Sequence, residues 1–241
     1  MIITILTIVP QMLESLEQYP LIQRLIQKKE LTLNIVDLRD YASGSYRHID
    51  DSPYGGGPGM ILRPEPVFSA LDQHRSARST VILFTPAGTP LNQAKVRELS
   101  EKEELILICG HYEGIDERIT ETADEWISVG DYILSGGESA AAVLVDAVTR
   151  LQENVIRAES TAEESFESGL LEYPQYTHPR VFRGREVPEV LLSGNHEKIR
   201  LWRLKESLRR TLHFRPDLLA QKELTAEESA LLEEIRNEEK G

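Results

Sequence analysis

Five short runs rich in Ile, Leu and Val constrain the fold of this chain most: MIITILTIV at the start, LTLNIVDL (31–38), TVILFT (80–85), ELILIC (104–109) and WISV (126–129). The first and fourth are apolar at consecutive positions rather than at every second one. That is the pattern of a strand covered on both faces, as in a parallel sheet between layers of helices. Helical patterns fall between the runs. After Pro10, residues Met12, Leu13, Leu16, Leu21, Ile22, Leu25 and Ile26 follow helical spacing, with Pro20 breaking or kinking the path. Asn92 caps a further helix and Ser139 to Leu151 reads as another. Strands alternating with helices give an α/β fold with a parallel sheet, whose ligands bind beyond the C-terminal ends of the strands.

Beyond residue 160 the pattern changes. Arg157 to Glu167 is polar, acidic and without periodicity; EYPQYTHP and REVPEV are extended and punctuated by proline; a basic helix and a last helix near Thr225 to Arg236 follow. The expected division is a sheet domain at 1–158, a flexible linker at 159–168 and a small, mostly helical domain at 169–241. No apolar run approaches the roughly 20 residues of a membrane span, and the N-terminal run has no basic segment before it, so a cytoplasmic protein without membrane contact is expected. One cysteine, Cys109, and six scattered histidines give no zinc-ligand spacing, and no metal site is expected.

The formal net charge of −13 argues against nucleic-acid binding until its distribution is considered. From Lys198 to Arg215 seven basic residues face one acid, Glu206. The segment reads either as a solvated helix or as a seat for a phosphate backbone, with the acidic remainder confining a polyanion to that place.

Glycine marks the other candidate regions. DDSPYGGGPGM places Gly55, Gly57 and Gly59 in a formal GxGxG, yet no strand runs into it, and Pro58, Pro64 and Pro66 argue against a helix that would cradle a phosphate; a dinucleotide site is therefore rejected. TPAGTPLN (85–92), GHYEGIDERI (110–119) and GDYILSGGE (130–138) each follow an expected strand, so all three should emerge at one sheet edge and offer backbone groups to a ligand. Asp146 and Arg150 stand four apart on a helix and suit a plain surface ion pair. Cys109 beside His111 suggests a thiol and its base, but a cysteine ending an apolar strand reads better as a small core residue.

Taken together, DDSPYGGGPGM, ICGHYEGIDERI, SVGDYILSGGE, LLEYPQYTHP and LLSGNHEKIRLWRLKESL resemble the bacterial tRNA (guanine-N1)-methyltransferases, SPOUT-class enzymes with a deep trefoil knot, over essentially the whole chain. The resemblance implies a knotted S-adenosylmethionine site, an obligate homodimer and a tRNA substrate methylated at guanosine 37, with a role in holding the reading frame. It places the methyl donor on Leu83, Phe84, Thr85, Pro86, Gly110, Tyr112, Gly114, Val129, Ile133, Leu134, Gly136 and Gly137. Its acidic motif position falls on Glu113, and tRNA is expected there, on Asp51, Tyr54, Gly55, Gly57 and Gly59 of the glycine-rich segment, and on His196, Lys198, Arg203 and Arg209 of the basic helix. Catalysis falls to Arg150 and Glu164. No residue is implied as a metal ligand, and dependence on Mg2+ is left open. Three positions depart from the family pattern: Glu164 stands where an aspartate precedes the Ser-Phe pair, Ser139-Ala140 replaces Leu-Pro, and Leu83 replaces an aromatic. A knotted methyltransferase for another RNA position and a non-catalytic RNA-binding relative are the alternatives.

Overall fold

A computed structural model describes residues 1–44, 47–152 and 164–239, in two compact units, Met1–Ile156 and Arg157–Gly241. The boundary expected near 158, and the larger part of the polar segment 157–167, lie outside the described residues. In chain order the first unit contains β1 (Ile2–Thr7), α1 (Pro20–Gln27), β2 (Thr32–Asp37), β3 (Asp50–Asp51), β4 (Ile61–Leu62), α2 (Pro64–His74), β5 (Ser79–Pro90), α3 (Gln93–Ser100), β6 (Glu104–Ile108), α4 (Glu117–Thr120), β7 (Glu125–Ser128) and α5 (Glu138–Thr149). Five strands pair in parallel in the order β2-β1-β6-β5-β7, while β3 and β4 form a separate antiparallel hairpin.

Alternation of side chains across this sheet accounts for the apolar runs. Ile3, Ile5, Ile82, Leu105, Leu107 and Cys109 enter one core, against Ile22 and Leu25 of α1, Val96 and Leu99 of α3 and Leu144, Val145 and Val148 of α5. Leu6, Val81, Leu83, Ile106 and Ile108 enter the other, against Val67, Ala70 and Leu71 of α2 and Ile119 of α4. A strand that fills two cores has no polar face to show.

Three sequence expectations change. A helix does start at Pro64, because proline in a first turn gives up only N–H groups that have no helical partner there. That helix, α2, covers half of the second core, where burial of a Val or Leu contributes about 1.5–3 kcal/mol each. Between Pro10 and Gln18 the chain makes two short 3-10 turns rather than an α-helix, since Tyr19 before Pro20 is extended (ψ 124°). On α5, helical spacing puts Ala140, Val143, Leu144, Ala147, Val148 and Leu151 on the buried side, yet Val143 is 52% exposed, and Ala141 and Val145 are buried.

The second unit contains a hairpin, β8 (Val181–Phe182) and β9 (Arg185–Glu186), then α6 (Glu189–Leu192), α7 (His196–Phe214), α8 (Pro216–Gln221) and α9 (Ala226–Glu238). Asn195 Oδ1 accepts from Lys198 N at 3.0 Å to cap α7, and Thr225 with Glu228 forms a reciprocal capping box at the start of α9. Leu170, Leu208 and Ile235 form the core. The residues after Glu164 are tied down to this core: Phe166 N donates to Leu170 O, Glu172 N to Ser165 Oγ, Leu171 N to Thr211 Oγ1 and Lys222 Nζ to Ser168 O, at 2.8–2.9 Å.

Candidate functional site

Because β5 lies between β6 and β7, the segments leaving their C-terminal ends are neighbours. They enclose a cavity of about 270 Å³. Phe84, Thr85 and Pro86 come from β5, Gly110 to Ile115 from the segment after β6, Val129, Gly130 and Tyr132 to Gly137 from the segment after β7, and Ala140 from α5. The strand β5 is itself irregular here: Phe84 and Thr89 both pair with Ile127, so residues 85–88 bulge out of register.

Eleven of the twelve donor positions named above wall this cavity, and Leu83 does not. Its side chain is 1% exposed, buried in the second core. Its neighbour Phe84, on the other face of β5, reaches the wall. His111, Ser128, Tyr132 and Ser135 also line the cavity without having been singled out as donor contacts. The only signal for His111, Tyr132 and Ser135 in the sequence is that they lie within the same loops, and Ser128 is the last residue of β7.

The floor is backbone against backbone. Gly137 N donates to Gly110 O at 2.9 Å, and a Cβ on Gly137 would lie 2.7 Å from Cys109 Cα. Only glycine lets the two segments approach this closely. Beneath them Glu138, 1% exposed, accepts a hydrogen bond from Thr7 Oγ1 at 2.7 Å, joining the end of β1 to the first turn of α5. Complete burial, with the Glu138 carboxylate nearby, pushes the Cys109 thiol well above its usual range. Cys109 is thus a protonated core residue at neutral pH, and the thiol–His111 pairing is ruled out as a nucleophile.

The glycine hairpin is stitched along one flank. Glu113 N donates to Met60 O at 3.1 Å, Leu62 N to Gly114 O at 3.0 Å and Asp116 N to Leu62 O at 2.9 Å. Gly59, at φ +81°, leaves room for the Glu113 side chain, which any Cβ there would meet. Gly55 and Gly57 turn the exposed tip, where Tyr54 is fully exposed, and Asp51 accepts from Ser52 N at 2.8 Å. Tyr112 lies in the left-handed region (φ +61°); burial first, then the Asp50 carboxylate, raise its phenol above the ordinary range. Asp116 is held below the usual carboxylate range by the Arg118 guanidinium that donates to it at 2.7 Å, which makes it a poor proton acceptor.

Arg150 is the half-buried residue that closes α5, and Glu164, also half-buried, opens the tied-down turn of the second unit. In α7, His196 and Lys198 are exposed in the first turn, Arg203 stacks over the Tyr173 ring at 4.7 Å, and Arg209 donates to Glu238 at 2.8 Å. Arg200 and Lys205 of the same helix are likewise bound to Glu227, Glu234 and Glu238 of α9. Much of the positive stripe expected from the sequence is therefore neutralised within the unit itself.

The profile of the family described as tRNA (Guanine-1)-methyltransferase TrmD matches residues 1–221. The chain belongs to this family. Among relatives, a tRNA (guanine-N(1)-)-methyltransferase of Streptococcus sanguinis is 52% identical over 236 residues, which cover 98% of each chain. Proteins of the same name from Thermosipho africanus (51% over 237 residues, 97% of this chain and 96% of that one) and Moorella thermoacetica (50% over 243 residues, 98% and 97%) are similarly close. No helix among the described residues is long and apolar enough to cross a membrane.

Proposed function

We propose that this protein methylates tRNA at N1 of guanosine 37, next to the anticodon, using S-adenosylmethionine, and so helps maintain the reading frame. The observation that carries the reading is the convergence of eleven donor positions on one cavity. Its residues suit such a ligand. Gly110, Gly114, Gly136 and Gly137 bring backbone without side chains to the wall, so that a flat purine can approach closely, and Phe84, Ile127, Val129 and Ile133 offer apolar walls to its faces. The sulfonium donor, when bound, supplies an activated methyl group.

The remaining work falls to the chain itself. N1 of guanine carries a proton at neutral pH, which a base must take as the nitrogen becomes a nucleophile. Glu164 is the base in this reading; the tied-down turn that follows it fixes where its backbone starts. Negative charge then develops on O6, and the guanidinium of Arg150 stabilises it. The target guanine must leave its stack, which suits a splayed anticodon loop. In the same reading the segments around the cavity close a deep trefoil knot, and two copies of the chain assemble so that each site takes residues from both.

Transfer of labelled methyl from S-adenosylmethionine to an unmodified tRNA transcript, with mapping of the product base, tests this reading. Label on N1 of guanosine 37, lost when that nucleotide is replaced by adenosine, is the expected result. Label elsewhere, or tRNA binding without transfer, would overturn it.

A further inference from the structure

The second unit carries an unusual exposed element. Every residue from Gln175 to Glu186 is exposed, and within this stretch the hairpin β8–β9 stands alone as two residues paired with two. Such a hairpin is only marginally stable by itself. Its turn is built from Arg183 (φ +51°) and Gly184 (φ +77°), so an arginine occupies a left-handed position that Asn or Gly fills at less strain. Phe182 is 60% exposed and Val181 49%. Arg183 lies over the Phe182 ring at 5.3 Å.

The cations here differ from those of α7. Arg200, Lys205 and Arg209 are engaged by carboxylates of α9 at 2.7–2.9 Å. In the hairpin, Arg180, Arg183 and Arg185 stand against a single acid, Glu186. Arg180 reaches Glu189 only at 3.8 Å, with side-chain exposures of 58% and 90%. Arginine also lies over an exposed aromatic at Arg215 on Phe166 (5.7 Å), but there Asp217 holds the guanidinium at 2.6 Å; at the hairpin, in a chain of net charge −13, three arginines and an exposed phenylalanine fall within six residues. Arginine binds phosphate bidentately, and an aromatic face takes an unstacked base, so the pair matches a single-stranded segment of nucleic acid.

We propose that the hairpin Arg180–Glu186 is a docking finger for single-stranded nucleotides of the substrate tRNA. Phe182 receives an unpaired base and Arg183 and Arg185 hold the adjoining phosphates. The stacking of Arg183 on Phe182 orders the guanidinium before RNA arrives. This deepens the tRNA reading given above and rests on it. It also moves the main phosphate contact from α7, where the charge excess in the sequence lies, to a segment of only modest charge.

The test uses the full-length protein with Phe182→Ala and with Arg183→Ala/Arg185→Ala, read by tRNA affinity at several salt concentrations, by the KM for tRNA against kcat, by S-adenosylhomocysteine affinity and by molar mass from light scattering. Phe182→Ala is expected to weaken tRNA binding about tenfold with the salt dependence unchanged, as loss of one stacked base does. The double arginine variant is expected to weaken it too, with a salt slope shallower by ~0.7 per lost phosphate contact. In both, KM rises more than kcat falls, and S-adenosylhomocysteine affinity is that of the wild type. Variants that bind and methylate tRNA like the wild type overturn the proposal, and so do variants whose molar mass halves, which would give the hairpin to a second copy of the chain. A wild-type protein that binds tRNA but transfers no methyl would instead count against the functional reading and leave the binding comparison readable. A wild-type protein that binds no tRNA overturns both.

Discussion

The cavity at the ends of β5, β6 and β7 is walled by backbone and apolar side chains, whereas the hairpin β8–β9 holds arginines and a phenylalanine out to solvent. The first is defined by what its glycines lack, the second by what its side chains carry. A ligand small enough to be enclosed is selected by shape and by the fixed positions of amides and carbonyls. A polyanion too large to enclose is selected by charge and stacking. The two regions should accordingly fail to opposite insults: one to an added methyl group, the other to a lost charge.

The sharpest way to break this contrast is Gly137→Ala. Its Cβ would lie 2.7 Å from Cys109 Cα, a backbone atom that cannot swing aside. S-adenosylhomocysteine affinity measured by calorimetry should fall by more than about 100-fold, with stability in urea lower by ~1–3 kcal/mol. Unchanged affinity would show that the cavity does not hold the donor. Next come the two groups assigned to chemistry. Arg150→Ala and Glu164→Gln should each lower kcat by about 10²- to 10⁴-fold while leaving melting temperature and donor affinity in place. A plain surface ion pair at Arg150 predicts no change in rate.

Two milder tests concern the layer below the cavity. Leu83→Ala should destabilise the fold by ~2–5 kcal/mol, with little effect on the donor affinity of the folded protein, since Leu83 fills the second core and not the wall. A large loss of affinity without a loss of stability would restore it to the binding site. The Cys109 thiol, raised by burial, should resist iodoacetamide in the native protein even near pH ~8.5, where an ordinary thiol is half ionised. The sign follows from the direction of the shift: a raised value keeps the thiolate scarce until well above that pH. Rapid alkylation without unfolding would mean that the floor opens.

The strands were legible because burial on two faces leaves consecutive apolar residues, as at Ile3 to Leu6 and Leu105 to Ile108. The convergence of three glycine loops was legible because each follows such a strand, and the sheet order makes β5, β6 and β7 neighbours. Helix α2 was hidden by Pro64 and Pro66, which look like breakers unless they fall in a first turn. The Leu83 side chain is turned from the cavity by one residue of strand alternation: it and Phe84 face opposite sides of β5. The ion pairs of α7 were hidden for a different reason. Its carboxylate partners Glu227, Glu234 and Glu238 lie 27 to 33 residues further on, where no local pattern ties them to Arg200, Lys205 and Arg209.

The hydrogen bond between Thr7 and Glu138 joins residues 131 positions apart. During synthesis the hydroxyl at the end of the first strand is finished early, but its partner leaves the ribosome only after more than half of the chain. Until then the floor of the cavity has one side. The emerging polypeptide can lay down its first strands and helices before that point, so that the cavity is completed late in synthesis.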